Sequence, residues 1–331
     1  TMGQVRGANI RLIGVTDTAY RTPPVTPDAL ILPFVSHGVA ASETRDTDET
    51  IDGYRGMNRS VAGAQTLNGP VQINAAPQTI GFWLKHLIGT PTSSLATGVT
   101  TYVFTPAASG ATALPPSFTL EQDMGAGFTS GSRYVRHLGC RIASCAISMG
   151  PTGFIQFTPT IAGSNATVGA TALDSTPTDT GHAAFESLSA ALVFGGGSLA
   201  LDVAKLDLAL TNNLDEDTLV IGSNGMRGDL PEGKFGCTGA IDTLVKDDTL
   251  VQQALSDTDT SLLLTLKRGT GDGTDGNEQL TISIPALVFA KNTPVVPGPK
   301  GLRLTGNFTS HRTSGETGVT FTLKSPLAAI Q

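Results

Sequence analysis

The stretch Lys205-Leu206-Asp207-Leu208-Ala209-Leu210-Thr211 sends Leu206, Leu208 and Leu210 to one side and Lys205, Asp207 and Thr211 to the other. Period-two alternation is what a half-buried β-strand requires, because successive side chains point to opposite faces of a sheet. Working outward, the pattern returns at Leu262, Leu264 and Leu266, at Leu280, Ile282 and Ile284, at Leu302, Leu304 and Phe308, and at Val319, Phe321 and Leu323. Upstream, Phe118 with Leu120, residues 143–149, and Ile155 with Phe157 read the same way. The chain is therefore expected to be mainly β.

Two segments break the alternation. In 77–88, Ile80, Trp83, Leu84 and Leu87 fall at i, i+3, i+4 and i+7, with Pro77 suited to the first turn and Gly89 to the stop. In 248–255, Leu250, Val251, Ala254 and Leu255 share one side, and Asp247 and Asp248 are placed to cap it. The order of elements then repeats. A strand near 30–35, a polar loop 44–59, a strand 61–73, the first helix and strands near 117–121, 141–149 and 154–159 form one series. A strand 206–211, a polar loop 212–232, a strand 234–245, the second helix and strands near 261–267, 280–289 and 301–309 form the other. Short details recur too, such as Tyr54-Arg55-Gly56-Met57 against Met226-Arg227-Gly228, and Val61-Ala62-Gly63 against Phe235-Gly236-Cys237. We expect an internal duplication, with domains at 1–175 and 176–331 and a linker rich in Thr, Ala, Gly and Asp within 163–182.

Composition narrows the function. Only 15% of the 331 residues are charged, against roughly a quarter in an average soluble chain, and 39 Gly and 19 Pro go with short strands. The formal charge is −7. A protein that grips phosphates should be basic, so nucleic-acid binding of that kind is excluded. At 39% hydrophobic with short patterned runs, the chain is not a disordered one. No apolar run approaches the roughly 18–20 residues of a membrane span, so no membrane insertion is expected, and no basic-then-apolar leader opens the sequence. Residues 1–165 carry 10 basic and 9 acidic side chains, whereas 166–331 carry 11 and 19, so the acidity sits in the second half. Few charges also suit surfaces that partners bury.

The second half resembles the tail tube (major tail) proteins of long-tailed bacteriophages. The stretch that carries the resemblance runs from the Gly195–Gly197 turn through the strand at 203–210 and Thr211-Asn212-Asn213-Leu214 to Met226-Arg227-Gly228. It continues through the strand at 235–245, the short helix, 261–267 and Ile282-Ser283-Ile284-Pro285 to the terminal hairpin. The first half is similar around Leu32-Pro33 and the long loop after it. The resemblance implies two tandem β-sandwich or flattened-barrel domains, each flanked by a short helix, with no catalytic residue and no cofactor. It implies subunits joined edge to edge into rings, stacked into a tube whose negatively charged channel conducts DNA. The implied partners are the chain itself and the tail tip or baseplate, terminator and tape-measure proteins. The implied location is the virion tail, after assembly in the host cytoplasm. Most relatives have one such domain and form hexamers. A doubled chain would instead give a trimeric ring with pseudo-sixfold symmetry.

Residues expected to serve assembly lie in the two polar loops, which are long for hairpin connections and carry both charge signs. They are Arg45, Asp46, Asp48, Glu49, Asp52, Arg55 and Arg59 in the first, and Asp215, Glu216, Asp217 and Arg227, with Lys234 nearby, in the second. Each loop is expected to reach the next ring or the neighbouring subunit. Asp207, Asp257 and Asp259 are the acidic residues expected to face the lumen.

Other features look chemical without the context chemistry needs. The run Gly269-Thr-Gly-Asp-Gly-Thr-Asp-Gly276 precedes a strand rather than a helix and lacks an EF-hand spacing, so it reads as a hairpin tip. Cys140 and Cys145 are five apart on strand-like sequence and should point to opposite faces, and with Cys237 they read as reduced core or edge residues. The five histidines show no metal-ligand spacing, His86 reading as a boundary residue of its helix. Paired acids such as Asp247/Asp248 and Asp257/Asp259 do not by themselves make a hydrolase site. The competing reading is a virion decoration protein or β-sandwich adhesin, which one Trp and four Tyr support poorly.

Overall fold

The computed structural model describes residues 5–106, 114–125, 128, 133–197, 201–296, 298–313 and 317–331. In chain order these form β1 (Arg11–Thr16), β2 (Leu30–Ile31), β3 (Ser36–His37), β4 (Ala40–Asp46), β5 (Val61–Asn74), α1 (Ile80–Ile88), β6 (Thr92–Ala96), β7 (Val99–Phe104), β8 (Phe118–Asp123) and β9 (Tyr134–Met149). There follow β10 (Gln156–Gly163), β11 (Asn165–Gly169), β12 (Ala191–Phe194), β13 (Asp202–Thr211), β14 (Gly236–Leu244), α2 (Thr249–Ser256), β15 (Thr260–Lys267), β16 (Gln279–Phe289), β17 (Arg303–Ser310) and β18 (Thr320–Ser325). The protein is mainly β, as the alternation requires, and its strand pairs are antiparallel.

The strands make a sandwich. One layer is a continuous row β4-β5-β10-β9-β13-β14-β17-β16. The other consists of β2-β1-β8-β9-β11 and of β12-β15-β16-β18-β7-β6. β9 and β16 belong to both layers, which is how a strand turns the corner of a sandwich. Residues 134–138 of β9 pair with β11, and 144–149 pair with β13. Between them Gly139 has φ of 64°, and a Cβ there would come 2.6 Å from Arg21 Cγ, so both backbone and space require glycine. The β8–β9 register slips at that corner, with Phe118 opposite Cys140 but Leu120 opposite His137. The β15–β16 register slips in the same way, with Thr260 opposite Leu287 but Leu262 opposite Ile284. Pro285, which cannot donate to a ladder, sits inside that irregularity, where such a residue is tolerated.

The pairing scheme itself occurs twice. The set β1–β8, β8–β9, β9–β10, β10–β5, β5–β4 and β9–β11 is matched by β12–β15, β15–β16, β16–β17, β17–β14, β14–β13 and β16–β18. Each helix falls between the fifth and eighth strands of the first set or their counterparts in the second. Register pairs Leu67 and Ile73 of β5 with Cys237 and Thr243 of β14, all buried, so the earlier alignment of Val61-Ala62-Gly63 with Phe235-Gly236-Cys237 is four residues out. The halves are also interlaced: β18 pairs with β7, and Ile330 packs on Gly81 of α1.

One large core joins the layers, built from both halves. Phe82, Trp83, Leu84 and Leu87 of α1 are buried in it as the helical spacing requires. The helix starts at Ile80 rather than near Pro77, because Thr79 and Ile80 both bond back to the Ala76 carbonyl in a turn. His86, read as a boundary residue, is buried between the rings of Phe82 and Phe118, at 4.3 and 4.6 Å. Its Nδ1 donates to the Phe82 carbonyl, which leaves Nε2 to accept from the Thr16 hydroxyl.

Three further expectations meet a different structure. The segment read as a linker holds β11, and its remainder is tied to the first half through Asp174 to the Ala29 amide, Thr178 to Ala29 and Ile31, and Phe185 to Ala75. Cys140 and Cys145 do not face opposite ways. Ala143 is an extra residue in the β9–β10 ladder, which restores both thiols to the core. Part of the first polar loop is strand, since β4 runs to Asp46 and only 47–60 connects it to β5.

Candidate assembly interface

The open face of the eight-strand row presents side chains in register. Asn74, Gln156, Ser148, Asp207, Ala240 and Asn307 form one line across six strands. Thr158, Ala146, Ala209, Thr238 and Thr309 form the next. The face dips into a concave depression of about 590 Å³ over β9, β13, β14 and β17, with Ala146, Asp207, Thr238 and Asn307 among its lining. Small and uncharged polar groups dominate because these are the outward positions of the alternating strands.

Charges on this face are paired. Asp207 accepts hydrogen bonds from Lys205 Nζ and Ser148 Oγ, both at 2.6 Å, and these bonds offset burial to leave its carboxyl below the usual range. Arg303 bonds Asp242 at 2.8 Å. Two cations and two anions cancel. Asp257 and Asp259 lie elsewhere, in the turn between α2 and β15, with Asp259 3.2 Å from His311 just past the end of β17. Asp174, Asp179 and Glu186 lie between β11 and β12 and Asp202 starts β13, while most other acids of the second half sit in the 212–232 loop, around α2, and in the β15–β16 turn.

The two long loops behave differently. In the first, 47–60 is almost wholly exposed, as is all of β4. Asp48 bonds Thr50, Asp52 accepts from the Tyr54 amide, and Arg45 meets Glu43 at 3.5 Å, so the loop is braced only by itself. Asp46 closes the β4–β5 ladder opposite Val61, while Glu49, Arg55 and Arg59 are exposed. At its tip Ile51, Tyr54 and Met57 are 96%, 86% and 86% exposed, a concentration of large apolar groups that a single chain leaves in water.

The second loop is docked on the first half of the same chain. Arg227 is 5% exposed and donates to the Glu216 carbonyl (3.0 Å), the Glu216 carboxylate (2.7 Å) and the Gly163 carbonyl (3.1 Å). Arg141 of β9 reaches Glu232 and, at 3.4 Å, Asp229. Gly225, at φ of 76°, lies so close to the Gly63 carbonyl that a Cβ would meet it at 2.2 Å. Its own carbonyl accepts from the Gln65 amide. Of the residues expected to bridge subunits, Arg227 and Glu216 are thus engaged within the chain, while Asp215 caps the Asp217 amide and both acids stay exposed. Lys234 offers its carbonyl to Asn213.

Asn212 was quoted only as part of a pattern, yet it is a key residue of the junction. Buried at 4% exposure, its Nδ2 donates to the Leu87 carbonyl at the end of α1 and to the Ile142 carbonyl of β9, both at 2.8 Å. A polar residue directly after an alternating strand was the available signal, but its partners lie 125 and 70 residues away.

Among the described residues no group of three or more His, Cys, Asp or Glu could hold a metal ion, and no helix is long and apolar enough to cross a membrane. The glycine-rich run is the β15–β16 hairpin tip, ordered by Asp272 on Thr274 and by Asn277 on Thr270. The fold presents open strand edges, a projecting hairpin and a polar sheet face, the features of a β-subunit that can pair through its edges. The family model for phage tail tube proteins matches residues 7–310, and the chain belongs to that family. No curated protein sequence matches it. It is accordingly a structural component of a phage virion tail, of a kind that self-assembles into a tube with other tail proteins. One family model spans both halves, so all of the double pairing scheme except β18 lies within the matched region.

Proposed function

We propose that the two halves are tandem tube domains, divided near residue 175, and that three chains close into a ring with pseudo-sixfold symmetry. Stacked rings then form a channel that passes DNA. The observation that carries this reading is the recurrence of six strand pairings and one corner bulge in the two halves, whose inner strands already share one continuous row. A row of eight strands with two open ends can lose its edges by closing on copies of itself.

The concave face of that row is the wall we assign to the channel. Phosphate contacts with unpaired cations add affinity through counterion release, so a conducting wall should offer none. Lys205 and Arg303 are each held by a carboxylate, and apart from Asp207 the two in-register lines across the middle of the row are Ser, Thr, Asn, Gln and Ala. On this reading DNA passage depends on a near-neutral polar wall more than on an excess of Asp207-type charge, while the acidic surplus lies in loops and turns.

Imaging the purified protein tests the proposal. Tubes or stacked rings with a central channel, and a native mass of three chains per ring, are expected. A six-chain ring would remove the tandem reading, and a discrete soluble monomer under conditions that include a tail-tip initiator would remove the tube.

A further inference from the structure

The junction between the two halves is a worked example of a contact that the same chain leaves unmade at its ends. Inside the chain, Leu206–Thr211 of β13 runs antiparallel to Met149–Ser144 of β9, with Ala209 opposite Ala146. Register through the matched ladders finds the counterparts of both strands. Leu67 corresponds to Cys237 and Ile73 to Thr243, which sets residues 37–42 against 206–211. Val39 is then buried where Leu208 is buried, and Ala40 exposed where Ala209 is exposed. On the other side, Cys140 corresponds to Leu287 and Ile142 to Phe289; past the extra Ala143, Ser144 faces Thr160, whose counterpart Asn307 takes the Ala290 amide, which sets 290–295 against 144–149. Asn292 is exposed where Ala146 is exposed, and it reaches Thr305, the counterpart of the Thr158 that Ala146 faces.

Both counterparts are bare on the relevant side. β4 bonds only β5, and every one of its residues is exposed. Segment 290–296 follows β17 through the Ala290 amide on Asn307 and the Asn292 side chain on Thr305, with no strand against its far edge among the described residues. Val295 and Val296 are left 76% and 70% exposed. Such edges are templates for pairing.

We propose that the occupant of each edge is a second copy of this chain: residues 37–42 of one subunit pair antiparallel with 290–295 of the next, Ala40 facing Asn292. The loop that follows β13 docks on the neighbouring domain through Arg227. The loop that follows β4 correspondingly lays Ile51, Tyr54 and Met57 on the second domain of the next subunit. This assignment rests on the ring reading above and adds which edges meet and in what register. It also separates them from β6, whose five residues are likewise exposed and which pairs only with β7.

Cysteine cross-linking of assembled tubes tests it. The chain's own thiols are buried, with Cys145 pushed up to about 12 and Cys237 to about 11 by desolvation, so they stay silent. In Ala40→Cys/Asn292→Cys tubes, oxidation should shift most of the chain from monomer to covalent dimer and trimer bands on denaturing gels. Ala146→Cys/Ala209→Cys should close within one chain and remain monomeric, while Ser94→Cys/Asn292→Cys, which uses β6, should not link. Where the double variant does not assemble, an equal mixture of the single variants diluted into unmodified protein should give a dimer band. Tubes that show no Ala40→Cys/Asn292→Cys band while the internal pair closes, or linkage through Ser94→Cys instead, would overturn the assignment and leave the ring itself standing. Absence of rings from the unmodified protein would strike the ring reading.

Discussion

At Arg227 one side chain converts a long loop into part of the fold. Its three hydrogen bonds join two carbonyls and a half-exposed carboxylate to a buried guanidinium. Removing a buried cation strands those acceptors, a loss of about 2–3 kcal/mol. Arg227→Ala should therefore lower the melting temperature by roughly 3–4 °C for a chain of this size, read by calorimetry. A change under about 2 °C would mean the loop is held by Arg141, Glu232 and Gly225 alone. Arg55, in the same Arg-Gly pair of residues, is exposed and makes none of these contacts in the single chain. The sequence showed the two arginines as equals, because the partner that distinguishes them lies 64 residues away at Gly163.

The β4–β5 hairpin is the element whose stability and function should separate. Its loop contributes almost no buried surface to the monomer, so deleting residues 47–52 should leave the melting temperature within about 1–2 °C. Tube formation, followed by imaging or sedimentation, should be lost. Normal tubes from the deleted chain would show that the loop has no part in assembly. Strands were legible where one face is buried, as in β13, β15 and β18, since alternation records a face. β4 was not, because Ala-Ala-Ser-Glu-Thr-Arg-Asp has no buried face within one chain. Nor was the corner in β9, where a bulge shifts the alternation and makes Cys140 and Cys145 appear to diverge.

For the whole molecule, three neutral histidines link stability to pH. Burial lowers His37 and His137 to about 4 and His86 to about 3, the first two stacked with ring centroids 5.5 Å apart. With folded values below the unfolded one near 6.5, the unfolded chain takes up protons first as pH falls. Their contribution is thus intact above about pH 6.5 and is lost progressively down to about 4, and to about 3 for His86. Melting temperature should fall across that window, and His37→Gln/His137→Gln should flatten the slope between pH 6.5 and 4. An unchanged slope in the double variant would assign the acid sensitivity to His86 and the carboxylates.

The sequence alone determined the class of structure: strands, two helices, the order in which they repeat, and the likeness to tail tube proteins. These follow from local periodicity and composition, which act over a few residues. Tertiary structure decided which strands share a row, that the second loop is docked while the first projects, and that Asp207 is neutralised by Lys205 and Ser148 while Asp257 and Asp259 lie off that face. Each of those depends on register between distant segments, and a one-residue bulge is enough to move a side chain from one face to the other.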